Sequence, residues 1–170
     1  LLDRNGENVE NFPVRLKTKA SNGLSVFDYD KARNYRIFLA NENKQIHCYD
    51  IRGKKVNGWE VKRTENRISG EILWLRKKGK DYLMYVEESG KIKILNRRGQ
   101  DRIRVEESLP ANREYFFSNN ESIELCAFVC SDSVGTIHQV NFAGVKTVTP
   151  IKAYSNTHRF ELADLDGDDY

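Results

Sequence analysis

The segment Gln45-Ile46-His47-Cys48-Tyr49-Asp50-Ile51-Arg52-Gly53 decides the fold, because its closing pattern returns at regular intervals along the chain. An Asp or Asn three residues before a Gly occurs in four such segments: Asp3 and Gly6, Asp50 and Gly53, Asn96 and Gly99, Asn141 and Gly144. The glycines lie 47, 46 and 45 residues apart (53−6, 99−53, 144−99). Asp or Asn at the first position bonds the backbone of a type I turn, and Gly at the fourth accepts a left-handed conformation. The pattern therefore predicts a hairpin turn that recurs about every 46 residues.

The segments around these turns repeat as well. Each later turn follows a strand of mixed polarity, and upstream of that strand lies a nearly continuous apolar segment, at 37–40, 83–86 and 125–130. Apolar runs of this length are typical of strands buried on both faces. An earlier strand opens each unit, at 24–28, 72–75 and 115–118, and polar segments such as 54–61 and 101–106 resemble outer edge strands.

Four short strands per repeat indicate an all-β chain that forms a partial β-propeller. At about 46 residues per unit, 170 residues make about 3.7 four-stranded antiparallel blades in a single array over residues 1–170. The blade pieces fall at about 1–20, 21–66, 67–110, 111–155 and 156–170. A β-sandwich is the alternative, but sandwiches do not usually repeat one turn at a fixed period. Because partial blades leave open edges, we expect a segment of a larger protein or a chain that completes itself by pairing with a copy.

The repeat unit resembles bacterial cell-envelope propeller repeats of the PQQ-like, WD40-like and FG-GAP type. Its phrase Val26-Phe27-Asp28-Tyr29-Asp30 returns near the end as Leu162-Ala163-Asp164-Leu165-Asp166, and Asp28 and Asp164 lie three periods apart (164−28 = 136). The resemblance implies a propeller architecture and a periplasmic or cell-envelope location. It implies no bound quinone, because the Thr-Gly-x-x-x-Trp phrase of PQQ repeats has no match around Gly53 and Trp59.

The last turn of the sequence carries carboxylates at alternate positions, Asp164, Asp166 and Asp168. Alternating carboxylates in a curled loop are ligands for a hard cation, and the segment resembles the FG-GAP loop. That resemblance implies a Ca²⁺ site in the intact protein, whereas the alternative is a solvated acidic turn. No other cofactor is expected.

Basic residues collect at one end of the predicted blades, although the net charge is only +3, from 28 basic and 25 acidic residues. We expect the opposite end to be acidic, through residues such as Glu42, Glu87, Glu88 and Asp132. A one-signed face favours an anionic partner, and the alternative is that the cations only solvate hairpin tips. The residues of this predicted basic face are Lys31, Arg33, Arg52, Lys54, Lys55, Arg76, Lys77, Lys78, Lys80, Arg97 and Arg98.

The histidines and cysteines do not form a recognisable site. His47 and His138 occupy equivalent strand positions where the intervening unit has Lys93, which indicates a polar strand face. The cysteines are odd in number and match no zinc spacing, so we expect buried free thiols. They are Cys48, Cys126 and Cys130.

No enzyme motif stands out in the sequence, which has no Gly-x-Ser-x-Gly elbow, phosphate-binding glycine loop, His-Glu-x-x-His or Cys-x-x-Cys. The preferred hypothesis is a non-enzymatic binding or scaffold module of a larger propeller protein that presents loops to a protein or glycan. One alternative is part of a larger propeller hydrolase or lyase whose catalytic residues lie elsewhere. A further alternative is polyanion binding by the basic face. Nucleic acid is not expected as a partner, and no apolar run is long enough to span a membrane.

Overall fold

The computed structural model describes residues 1–151, 154–155 and 157–163, which contain strands and no helix. The strands form three antiparallel sheets, each a meander in which sequence neighbours pair. The prediction of an all-β chain is thus confirmed. The first sheet contains β1 (Ser25–Phe27), β2 (Arg36–Ala40) and β3 (Ile46–Tyr49); the second contains β4 (Ile68–Lys77), β5 (Lys80–Glu87), β6 (Ile92–Leu95) and β7 (Asp101–Ile103); the third contains β8 (Phe116–Ser118), β9 (Ala127–Ser131), β10 (Ile137–Asn141) and β11 (Lys146–Thr149).

The first sheet lacks the fourth strand that the sequence predicts at 54–61. Only an isolated bridge joins Tyr49 to Lys55. Beyond it, the Trp59 indole packs edge-on against Phe38 at 5.1 Å between ring centroids, and its Nε1 donates to the Ile46 carbonyl at 3.0 Å. These long-range contacts of one aromatic side chain draw the segment inward, so it does not continue along the sheet edge.

The hydrophobic core lies between the sheets, and the second sheet is buried on both faces. Along β5, Leu83 and Tyr85 belong to the core shared with the first sheet, whereas Met84 and Val86 belong to the core shared with the third. This alternation follows from the two-residue period of a strand. It confirms that the apolar run around β5 is a strand buried on both faces.

The recurring four-residue turns share one hydrogen-bond pattern. In the turn after β3, Gly53 N donates to Asp50 O at 3.0 Å, and Asp50 Oδ1 accepts from Arg52 N and Lys54 N, both at 2.9 Å. Gly53 has a φ of 71°, the left-handed region where a Cβ is unfavourable. The closing hydrogen bond from the Gly N–H to the first residue's carbonyl recurs at Gly6, Gly99 and Gly144.

A second series of turns, the polar turns that the sequence places upstream of each strand of mixed polarity, connects the two middle strands of each sheet. Its opening residues are Asn41, Glu87 and Asp132, spaced 46 and 45 residues apart (87−41, 132−87). In each turn the fourth residue donates its N–H to the first residue's carbonyl at 2.7 to 3.1 Å. Lys44 takes the place of Gly in the first of them, with a φ of 68°.

Candidate functional site

Each sheet is a meander, so alternate connections project from the same end. We define the turn end as the connections β1–β2, β4–β5 and β8–β9 together with the turns that Asp50, Asn96 and Asn141 open. The opposite end carries the turns opened by Asn41, Glu87 and Asp132. All residues of the predicted basic face belong to the turn end.

Most cations of the turn end are exposed and carry no ion pair. Within the described ranges, no carboxylate oxygen lies within 4.0 Å of the charged nitrogens of the following side chains. They are Lys31, Arg33, Arg52, Lys54, Lys55, Lys78, Lys80 and Arg98, and each is exposed. Lys77 is partly buried. The tight connection Lys78–Gly79 has positive φ at both residues, 47° and 72°, the geometry of a two-residue hairpin.

Arg97 is engaged in a cluster that joins the first sheet to the second. Its Nη2 and Nη1 donate to the two carboxylate oxygens of Asp30 at 2.7 and 3.1 Å. Its Nε lies 2.6 Å from Asp81 Oδ2, as an ion pair without hydrogen-bond alignment. Asp81 also accepts from Trp74 Nε1 at 2.9 Å. We call Tyr29, Asp30, Trp74, Arg76, Asp81 and Arg97 the latch.

Arg76 joins the same cluster, since its Nη1 donates to the Tyr29 carbonyl at 2.6 Å and lies 3.7 Å from Asp30 Oδ1. The hydrogen bond from Arg97 is the main cause that lowers the pKa of the Asp30 carboxyl. Burial raises the pKa of the Tyr29 hydroxyl, so it stays protonated. Arg76 and Arg97 therefore hold sheets together, and their charges are neutralised. These two arginines therefore do not belong to the unpaired cations of the turn end.

The remaining aspartates of the turn end face their own backbone. Asp28 accepts from Ala32 N at 3.1 Å and from Arg33 N at 2.8 Å, and Asp50 is occupied by its turn. These two aspartates thus form no ion pair with the exposed cations beside them.

Two of the acids that the sequence places at the opposite end, Glu87 and Glu88, are buried or paired, whereas Glu42 is exposed. Glu87 is 2% exposed, and its Oε2 accepts from Asn66 N at 2.8 Å, so its charge lies inside the protein. Glu88 pairs with Arg67 at 3.2 Å. Lysine and glutamate also pair across this end, with Lys91 Nζ 2.5 Å from the Glu65 carboxylate. The correction arises because the cations near this end come from connections distant in sequence.

The two strand histidines each contact the residue that opens the turn before their strand. His47 Nε2 lies 3.2 Å from Asn41 Nδ2, and His138 Nε2 lies 3.0 Å from Asp132 Oδ2. The bond from His138 is the largest cause that lowers the pKa of Asp132 to about 2. Burial lowers the pKa of His47. At the equivalent position Lys93 pairs instead with Asp101 at 2.7 Å.

All three cysteines are buried free thiols, as the sequence predicts. Burial raises the pKa of the Cys48 thiol to about 12 and also raises the pKa of Cys130. A thiol that stays protonated is a poor nucleophile and a poor metal ligand.

The predicted calcium ligands Asp164, Asp166 and Asp168 lie outside the described residues. Among the residues that are described, no group of three or more His, Cys, Asp or Glu side chains could hold a metal ion. Nor does that part of the chain contain a helix long and apolar enough to cross a membrane.

The sequence reading also missed a polar cavity on the third sheet, with a volume of about 440 Å³. Ser131 at the end of β9 and His158 from the segment beyond β11 meet there, with 2.8 Å between Oγ and Nε2. The residues lie 27 positions apart, and no local motif joins them. The lining is completed by Pro110, Ala111, Asn112, Glu114, Phe116, Asp132, Ser133, Arg159 and Phe160.

No family model matches the sequence, and no curated protein matches it. Among solved structures, the chain is similar to the crystal structure of the computationally designed Ika4 protein, with a TM-score of 0.58 and 14% sequence identity. The match covers 88% of this chain and 83% of that chain. At this identity the similarity concerns the fold alone.

Proposed function

We propose that the three sheets are blades of a partial β-propeller that acts as a binding module. Its turn end contacts an anionic protein or glycan. The observation that carries this proposal is the imbalance of charge at the turn end, where exposed cations carry no ion pair while the neighbouring aspartates are engaged by the latch or by their own turns.

The propeller interpretation is supported by the way in which equivalent positions pack. The turns between the two middle strands of each sheet, opened by Asn41, Glu87 and Asp132, are called the middle turns. Phe38, Met84 and Val129 each lie three residues before the opening residue of a middle turn (41−3, 87−3, 132−3). Phe38 packs in the core between the first and second sheets, and Met84 in the core between the second and third. Each sheet thus offers the same face to the next one along the chain, as expected for successive propeller blades.

An anionic partner would be attracted through many weak contacts. Ion pairs formed at exposed positions contribute about 0–1 kcal/mol each, and salt screens them over about 8–10 Å at physiological strength. Binding is therefore expected to need several cations together and to weaken steeply as salt rises. The rigid hairpins that hold the cations reduce the entropy lost on binding.

The test is salt-dependent retention on an immobilised sulfated glycan such as heparin, followed by the same comparison on a carboxylated resin. A quadruple variant, Arg52→Gln, Lys54→Gln, Lys80→Gln and Arg98→Gln, removes cations from the turn end at positions with ordinary backbone conformation. We expect the wild type to be retained at low salt and this variant to elute at much lower salt.

A matched variant removes the same charge from the other end, through Lys17→Gln, Lys19→Gln, Lys62→Gln and Arg63→Gln. Those residues lie near the turn that Asn41 opens at the opposite end, because the backbone around them is hydrogen-bonded to that turn. Glu42 N donates to Lys19 O, and Thr64 N donates to Lys44 O. We expect its retention to stay close to wild type. Equal losses in both variants, or flow-through of the wild type at low salt, would contradict the proposal.

Self-association through an open blade edge is a second possibility for the same module. β11 pairs with β10 on one side only, and all its residues are exposed. An unpaired edge of this kind can pair with another strand. Light scattering on the chain as it leaves a sizing column tests this possibility: a dimer has twice the 19.7 kDa chain mass, and a monodisperse monomer argues against it.

A further inference from the structure

The outward face of the third sheet departs from the repeat at two positions. Ala40 and Val86, each directly before the opening residue of a middle turn, are buried in the two inter-sheet cores. The equivalent residue of the third sheet is Ser131. Cys48 and Ile94 lie two residues before the turns that Asp50 and Asn96 open, and both are buried. The equivalent residue of the third sheet is Gln139. Ser131 lines a cavity at the place where the equivalent residues of the other two sheets pack against a neighbouring sheet, whereas Val129 on the same face stays apolar and buried.

The cavity has the dimensions of a small-molecule site, since its volume of about 440 Å³ lies within the range of roughly 300–1,000 Å³ for ligand pockets. One wall is aromatic, with Phe116 and Phe160 in an edge-to-face arrangement at 5.2 Å between ring centroids. Pro110 and Ala111 also line the cavity, and the remaining lining residues are polar or charged, Ser131 and His158 among them.

The hydrogen bonds of His158 determine which of its nitrogens carries the proton. His158 Nδ1 lies 2.7 Å from the Ser155 carbonyl oxygen, which can only accept, so Nδ1 carries the hydrogen. In the neutral ring, Nε2 then presents its lone pair to Ser131 Oγ, 2.8 Å away. The serine hydroxyl therefore donates to the imidazole, which is the direction that a general base requires for activating a nucleophile.

We propose that Ser131 is a nucleophile and His158 its general base, in a site for small carboxylic esters. Ser131 Oγ bonds to the ester carbonyl carbon while its proton passes to His158 Nε2. The carbon–oxygen bond to the leaving group then breaks, and the leaving alkoxide takes that proton. Water attacks the acyl-serine by the same route in reverse, releases the acid and restores Ser131.

The cavity also holds donors suitable for the oxyanion formed in these steps. Asn112 Nδ2 donates to the Ser131 carbonyl at 2.7 Å, and its amide group has a second N–H. Arg159 is a further lining residue of the same cavity. Fixed donors beside a developing oxyanion stabilise the transition state, and the Phe116–Phe160 wall accommodates the acyl group.

The group that orients His158 through its Nδ1 is the Ser155 backbone carbonyl and not a carboxylate. The nearest acid in sequence, Asp132, is bonded to His138 and so belongs to a different pair. A carbonyl fixes the imidazole tautomer, but it contributes no full charge to stabilise the imidazolium that forms. We therefore expect slow ester turnover and look first for the covalent adduct. This site lies apart from the turn end, and it stands or falls independently of the anion-binding proposal.

The experiment treats the full chain with a fluorophosphonate probe and locates the adduct by intact mass and peptide mapping. Ser131 Oγ would attack phosphorus, the phosphorus–fluorine bond would break, fluoride would leave, and His158 would take the proton. We expect a single adduct on Ser131 that is absent in Ser131→Ala. In His158→Gln the labelling rate should fall by roughly 10²-fold or more, the contribution typical of a general base.

Two matched variants separate this chemistry from general serine reactivity or loss of folding. Ser89→Ala removes an exposed hydroxyl outside the cavity, and His47→Gln removes the imidazole at the strand position of the first sheet that is equivalent to His138. Both should be labelled at Ser131 at the wild-type rate. No adduct on the folded wild type, adducts spread over several serines, or His158→Gln labelled as fast as wild type would overturn the assignment.

Discussion

The Arg97 guanidinium lies 4.5 Å above the ring centroid of Tyr29, so a cation of the second sheet stacks on an aromatic side chain of the β1–β2 connection in the first sheet. The same guanidinium contacts Asp30 on one side and Asp81 on the other. Stacking and ion pairing act together in a partly buried site, where such contacts are worth more than at an exposed surface. The latch thus fixes how the first two sheets sit against each other at the turn end.

We predict that Arg97→Ala destabilises the protein by about 2 kcal/mol, because it leaves the buried Asp81 carboxylate without its cation. Arg97 is itself about one third exposed, which keeps the expected cost below that of a fully buried pair. Urea unfolding followed by tryptophan fluorescence measures the change, since Trp74 bonds the same carboxylate. The control is Arg98→Ala, whose exposed side chain should change stability by less than about 0.5 kcal/mol. Equal effects of the two variants would refute the role of the latch.

We predict that replacing Gly90 is far more harmful than replacing Gly144. Both glycines have φ values near 85°, at 87° and 83°, so alanine costs about 1–2 kcal/mol of backbone strain at either position. A Cβ on Gly90 would also collide with the Leu109 carbonyl oxygen, whereas nothing lies within 4 Å of one on Gly144. Gly90→Ala should therefore unfold at clearly lower urea than Gly144→Ala. Coincident unfolding midpoints would show that the approach of Leu109 to this turn is not tight.

We predict that the Asp132–His138 pair contributes stability that is lost in acid. The pKa of Asp132 is lowered from 3.8 to about 2 in the folded protein, so its contribution is present above about pH 4 and disappears as the pH falls towards 2. Asp132→Asn keeps a turn-opening residue of the kind found at Asn41 but removes the titration. Its stability should fall less steeply than that of the wild type over this interval. Parallel curves of urea stability against pH would contradict the pairing.

Local chemistry explains why the turns and strands could be predicted. The turn opened by Asp50 and closed by Gly53 is determined by residues adjacent in sequence, and the apolar run of β5 reports its own burial. Long-range contacts explain the failures. Trp59 Nε1 donates to the Ile46 carbonyl, and the segment predicted as an edge strand therefore does not form one. Arg97 pairs with Asp30, which lies 67 positions away in the sequence.

The candidate sites also depend partly on local sequence and partly on long-range contacts. Charge at hairpin tips is visible in the sequence, because a hairpin tip is exposed wherever it lies. Which cations remain unpaired depends on carboxylates brought from other sheets, as for Arg76 and Asp30. The contact between Ser131 and His158 depends on the path of the segment that follows β11, and no spacing rule predicts that path.

We predict that the native protein resists thiol-modifying reagents despite its three cysteines. Each thiol is buried, and at pH 8 a thiol such as Cys48, with its pKa raised to about 12, carries almost no thiolate. Because thiolate is the reactive species, modification by a disulfide reagent such as DTNB should be negligible in buffer and complete for all three cysteines in concentrated urea. Partial urea should increase the rate in parallel with the unfolded fraction if the sheets open together. Fast reaction of one cysteine in buffer would instead show that its sheet opens locally, and mapping the modified residue would identify which inter-sheet core is the weaker one.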